Sequence, residues 1–228
     1  MIRIKYLVLT LLLGTIALNI SNAQHNIDQS DFSDLASTVN RNLDKRANIK
    51  GSPYINDTFH DLTFKRFGDK IFTGRYDANL GEMQIKRGND TIVINNFENF
   101  EITFALNNKV YKTYSYTDKK DILKRGFLVV LKETDSLALL KEELVKFYQA
   151  KESTNGYDKA KPAEYRRTKD VYYYRQGEHV SVLPQKRKDF IKLFPEHSKD
   201  LEVFIKKNKI NFKQEDDLIT LFQYLETL

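Results

Sequence analysis

The stretch FEITFALNNKVYKTY, residues 100–114, decides the fold class. Phe100-Glu101-Ile102-Thr103-Phe104 places an apolar side chain at every second position, the period of a strand with one buried face. Asn107-Asn108 then tolerates the left-handed backbone of a tight turn. Val110-Tyr111-Lys112-Thr113-Tyr114 resumes with β-branched and aromatic residues, which suit a pleated surface. Two such runs joined by a short polar turn read as an antiparallel hairpin.

The same grammar continues on both sides. Ile71 to Tyr76 is one extended run. Glu82-Met83-Gln84-Ile85-Lys86 alternates strictly, and Arg87-Gly88-Asn89 turns into Asp90-Thr91-Ile92-Val93-Ile94. Phe127-Leu128-Val129-Val130-Leu131 lacks polar alternation and suits a central strand. Leu137 to Tyr148 admits two readings. Leu137, Leu140, Leu144 and Phe147 fit a helical face, while a strand pairing back on Phe127–Leu131 fits the meander before it, and the strand is favoured. Val171-Tyr172-Tyr173-Tyr174-Arg175 turns at Gln176-Gly177 into His179–Leu183, and Pro184 ends that strand. Within this region, residues 150–169 are polar, contain Gly156 and Pro162, and read as an exposed loop.

Residues 52–183 are therefore expected to form an antiparallel meander, a small barrel or a sandwich. Helical spacing governs residues 184–228. Phe190, Ile191, Leu193 and Phe194 precede Pro195. Leu201, Phe204 and Ile205 make a second helix, and Leu218, Ile219, Leu221, Phe222 and Leu225 a third behind Glu215-Asp216-Asp217. The expected class is α+β, a sheet closed by two or three short helices that pack on it.

The N-terminal end carries an address. Arg3 and Lys5 precede an apolar run, Tyr6–Ile20, and Ser21-Asn22-Ala23 supplies a small-x-small cleavage triplet. The run falls short of the roughly 20 residues of a spanning helix. Residues 1–23 are expected to be a signal peptide cleaved after Ala23, which gives a periplasmic or secreted protein. Residues 24–51 form a polar leader in which Asp34, Leu35, Val39 and Leu43 hint at a short helix. A count of Cys 0 rules out a lipoprotein anchor, disulfides, thiol nucleophiles and cysteine metal sites. Stability must come from the core, and 41% hydrophobic and 12% aromatic residues supply one. The formal net charge of +6 is slight beside 30% charged residues, so it permits anionic partners without demanding them.

Ser52-Pro53-Tyr54-Ile55-Asn56-Asp57, the run Gly74 to Met83, the hairpin from Tyr172-Tyr173-Tyr174 to Leu183-Pro184 and the closing helices from Lys188 to Leu225 resemble small exported proteins of Bacteroidota. The resemblance implies a sheet followed by a helical tail. It implies no activity and no catalytic residues.

Linear signs of chemistry are few. His25, His60, His179 and His197 lack metal-ligand spacing, and no HExxH occurs, so no metal and no cofactor are expected. GxSxG, GxGxxG and GxxxxGK[ST] are all absent. Glu142-Glu143 and Asp216-Asp217 are neighbours on one element, whereas a glycosidase needs carboxyls converging across a cleft. Tyr165 to Arg175, YRRTKDVYYYR, joins basic and aromatic residues that can stack on a ligand, although Tyr172 and Tyr174 on one strand face and Tyr173 on the other is ordinary sheet composition. Export argues against nucleic acid. The lysines from Lys186 to Lys213 read as a wet helical face, and any membrane contact is at most peripheral.

These absences point to a non-enzymatic binding or envelope-structural component whose partner is a protein or another envelope component. No catalytic residue is expected, and Arg75, Tyr76 and Tyr173 are the candidates for ligand contact. The alternatives are a hydrolase with a spatially assembled site on the sheet and a peripheral membrane-surface protein.

Overall fold

The computed structural model describes residues 32, 35–37, 49–94, 96–153 and 159–228. The expected signal peptide and most of the polar leader lie outside them. In the leader, Ala36–Ser37 is a strand, β1. The remainder of the expected helix over residues 34–43, Leu35 apart, lies outside the described residues.

Strands β2 (His60–Phe64), β3 (Ile71–Asp77), β4 (Glu82–Arg87) and β5 (Asp90–Ile94) form an antiparallel meander, and β1 pairs with β5. β6 (Glu101–Phe104) returns to the free side of β2 with Leu62 opposite Phe104. The quoted hairpin is then realised as β6 and β7 (Lys109–Thr117), with Asn108 at φ 53° in the turn. β8 (Leu123–Glu133) pairs with β7, and β9 (Leu137–Glu142) pairs with β8, so the ambiguous segment is a strand.

β10 (Val145–Tyr148) pairs with β11 (Glu164–Arg167) as a separate ribbon. The expected loop over 150–169 thus contains a strand. Its side chains are half-buried or exposed, so no apolar period marks it; backbone pairing with β10 and the packing of Tyr165 on Phe147 hold it. β12 (Val171–Gln176) pairs with β9 and with β13 (His179–Val182), turning at Gly177 with φ 58°.

One pairing closes the sheet. β13 meets β7 in parallel at Ser181 and Thr117. The ring β7–β13–β12–β9–β8 is a closed five-stranded barrel, and the other strands of the eleven-stranded sheet continue from β7. Helices α1 (Arg187–Ile191), α2 (Ser198–Lys207) and α3 (Glu215–Leu225) follow, giving the expected α+β class. Among the described residues, no helix is long and apolar enough to cross a membrane.

Three cores share these strands. The meander packs Phe64, Phe72, Met83 and Ile85 against Phe127 and Val129 of β8, with Phe64 edge-on to Phe72 at 5.0 Å between centroids. Leu128, Leu140, Tyr116, Tyr173 and Val180 fill the barrel. Leu139 turns outward beneath Phe190, Leu201 and Phe222 of the helices. The unbroken apolar run of β8 is explained by this layout, since its two faces belong to different cores. Gly74 admits close packing, because a Cβ there would lie 2.7 Å from the Gln84 carbonyl oxygen.

Candidate functional site

A groove of about 600 Å³ opens where β6 and β13 lean on the same edge of β7. β6 pairs with Lys109–Lys112 of β7, and β13 pairs only at Thr117. Thr113 closes the β6 end. Its amide donates to the Phe100 carbonyl (3.1 Å), while its hydroxyl donates to the Glu98 carbonyl and accepts from the Phe100 amide, both at 2.8 Å. Tyr114, Ser115 and Tyr116 are then paired only on the β8 side.

One wall of the groove is an ionic lattice. Lys112 Nζ lies 2.5 Å from Glu133 Oε2 and 3.1 Å from Glu101 Oε2, and Lys65 Nζ lies 3.1 Å from Glu101. The Tyr114 hydroxyl donates to Glu133 (2.7 Å), and an Arg175 nitrogen stands 3.6 Å from it. Burial pushes Glu101 and Glu133 upward. Hydrogen bonds from Lys112, with Lys65 at Glu101 and Tyr114 at Glu133, outweigh that and leave both carboxyls below the usual range. Lys112 behaves as the mirror image: burial lowers it, and the two carboxylates raise it above its ordinary value. All three groups are charged at neutral pH.

Arg125 is different. Its Nε donates to the Asn96 carbonyl (2.7 Å), one terminal nitrogen to Ser115 Oγ (3.1 Å) and the other to Asn99 Oδ1 (2.6 Å). Asn96 Nδ2 donates back to the Arg125 carbonyl at 2.8 Å. Every one of these acceptors is neutral, and among the described residues no carboxylate pairs with Arg125. A guanidinium has five N–H donors in a rigid fork, so the clamp fixes its plane and leaves donors and a whole positive charge over.

A second hollow, about 650 Å³, lies beside Tyr54, Asp57, His60, Tyr165 and Arg167. Its arginine is already compensated, with Arg167 nitrogen 2.6 Å from Asp170 and 3.5 Å from Glu143.

The residues singled out in the sequence do not meet. Arg75 stacks between the rings of Tyr54 and Phe59, with Cζ 3.5 and 4.3 Å from their centroids. It also donates to the Tyr54 hydroxyl (2.7 Å), Gln84 Oε1 (3.1 Å) and the Asp57 carbonyl (3.0 Å), which ties the 54–59 segment to β3. Tyr76, on the other face of β3, is 4% exposed in the meander core beside Tyr111. Tyr173 is 1% exposed inside the barrel and donates to Glu142 Oε2 at 2.8 Å. Burial raises both hydroxyls far above the ordinary tyrosine range, helped at Tyr173 by Glu142 and at Tyr76 by Tyr116. Sequence reasoning missed Arg125. The only local trace is a basic pair, Lys124-Arg125, at the mouth of a central apolar strand.

Among the described residues, no three His, Asp or Glu side chains gather as a metal site. Comparison with protein-family models, curated proteins and solved structures gives no match for this chain.

Proposed function

We propose that this chain is an exported, non-enzymatic binding protein that holds an anionic ligand in the groove on Arg125. The observation that carries the reading is the uncompensated guanidinium, held in one plane by neutral acceptors at the edge of a 600 Å³ groove. An arginine whose orientation is prepaid loses little entropy when a carboxylate or phosphate takes its free donors.

Convergence of Glu101 and Glu133 on Lys112 favours one other reading, a hydrolase. Ionisation argues against it. A general acid needs a carboxyl raised to hold its proton near neutral pH, and both of these are lowered. Lys112 also occupies the space between them, where a substrate would have to sit.

The test is an NMR titration that follows the Arg125 Nε–Hε resonance. Acetate should shift it well beyond chloride at equal ionic strength, and the broadening of the acetate methyl resonance by the protein should be lost in Arg125→Lys, which keeps the charge but loses the fork. Equal responses to acetate and chloride would overturn the reading.

A further inference from the structure

The groove has a floor that a simple anion would leave unused. Thr113 donates its amide to Phe100 across the β6 edge of β7. Backbone direction alternates along a strand, so the Ser115 N–H and C=O point the same way as those of Thr113. At Thr113 that edge is taken by the Phe100 carbonyl and at Thr117 by Ser181, while among the described residues Ser115 between them has no cross-strand partner on that side. The interval from Thr113 to Thr117 covers about 13 Å of strand at roughly 3.3 Å per residue. A sheet edge of this kind is a template for another extended chain.

We infer that the groove receives a short extended peptide segment with an acidic side chain, which pairs its main chain with Ser115 and sets its carboxylate on Arg125. The inference rests on the binding reading above and names the ligand class. Two observations converge on it. The Ser115 hydroxyl is itself a partner of the Arg125 guanidinium, so the open backbone edge and the free positive charge occupy one place. The flanking side chains also set the sign of the occupant's charge. Glu101 is met by Lys112 and Lys65, Glu133 by Lys112 and Arg175, and Arg66 by Glu98 at 2.5 Å, whereas among the described residues no carboxylate pairs with Arg125. A neutral or basic segment would gain the edge but leave that charge unmet. A free anion would meet the charge but leave the edge unpaired.

The probe is acetyl-Val-Glu-Val-amide at about 10 mM, enough to populate a complex of millimolar Kd. Its controls are the Gln analogue, the Glu peptide N-methylated along its backbone, and acetate. Amide resonances of the full-length 15N-labelled chain are followed. The Glu peptide should shift the Ser115 amide and slow its hydrogen exchange. Both peptide controls should give a much weaker response, and acetate should move only the Arg125 side chain. A Ser115 response to acetate equal to that of the peptide would make the ligand a small anion and overturn the inference while sparing the binding reading. Equal responses to the Glu and Gln peptides would remove the acidic requirement. Silence of Ser115 with the Glu peptide, beside a preserved acetate response at Arg125, would also sink the peptide. Silence at both positions would end both readings.

Discussion

At the scale of single residues, the chain spends its ionisable groups in two ways. Glu143 is 4% exposed, accepts from the Tyr111 hydroxyl, and lies 2.9 Å from Lys109 Nζ and 3.5 Å from an Arg167 nitrogen. Burial pushes its carboxyl up, and the Tyr111 hydrogen bond with Lys109 more than reverses that, leaving it below the usual range. A carboxyl lowered by folding adds stability that is present above its unfolded value of about 4.3 and is lost as pH falls through the folded value. Glu143→Gln should therefore cost about 3 kcal/mol at pH 7, because it strands Lys109 beside a neutral amide. Urea titrations should show the gap to the parent protein shrinking below about pH 4, and a gap that stays constant from neutral to acid pH would refute this account. Arg125 is the opposite case, a charge whose described partners are all neutral. That contrast was not legible in the sequence. Arg75 and Tyr173 were visible because aromatic neighbours flank them, and their rings turned out to serve packing. Arg125 acquires its meaning from Asn96, Asn99 and Ser115, which arrive from other elements.

Among elements, legibility follows contact range. The hairpins β4–β5, β6–β7 and β12–β13 were readable because each period and turn lie within a dozen or so residues, as in Lys109–Tyr114 folding back on Glu101–Phe104, whereas the β10–β11 ribbon, whose strands lie further apart in sequence, was not. The split of Tyr172 and Tyr174 from Tyr173 was readable for the same reason: the pair packs under the helices and Tyr173 fills the barrel. Closure of the barrel was not readable. It depends on a parallel pairing between strands more than sixty residues apart, and nothing in either strand encodes the partner. That seam is also the weakest part of the ring. β7 and β8 stay in register from Val110–Val130 to Thr117–Leu123, while β13 touches β7 at Ser181 alone. Local opening draws on the least-paired backbone. Hydrogen exchange should find the β13 amides opening faster than those of β8 at Phe127–Val129, although both strands belong to the barrel. Equal protection would mean that side-chain packing, not backbone pairing, sets the stability of the seam.

For the whole molecule, the decisive feature is that neighbouring cores share strands. β8 supplies Phe127 and Val129 to the meander core and Leu128 to the barrel, and β9 supplies Leu140 to the barrel and Leu139 to the helical core. A strand with two buried faces cannot lose one core and keep the other, since the exposed face would return its apolar area to water at about 25 cal/mol per Å². The described body should therefore unfold in one transition despite three separate clusters. Phe72 in the meander and Phe222 in α3 report on the two ends, at 0% and 1% exposure. Phe72→Ala and Phe222→Ala should each cost about 3–5 kcal/mol and each move the entire urea curve, read by circular dichroism and by tyrosine fluorescence. The double variant should lose nearly the sum, because the two side chains lie in clusters that share no fully buried residue. Two resolved steps, with Phe222→Ala moving only one, would show that the helices form a unit independent of the barrel. The groove argues for a single transition on its own account. Its walls come from the meander side through Phe100 and Glu101 and from the barrel through Gly177 and Val180, so Arg125 keeps its setting only while both stand together.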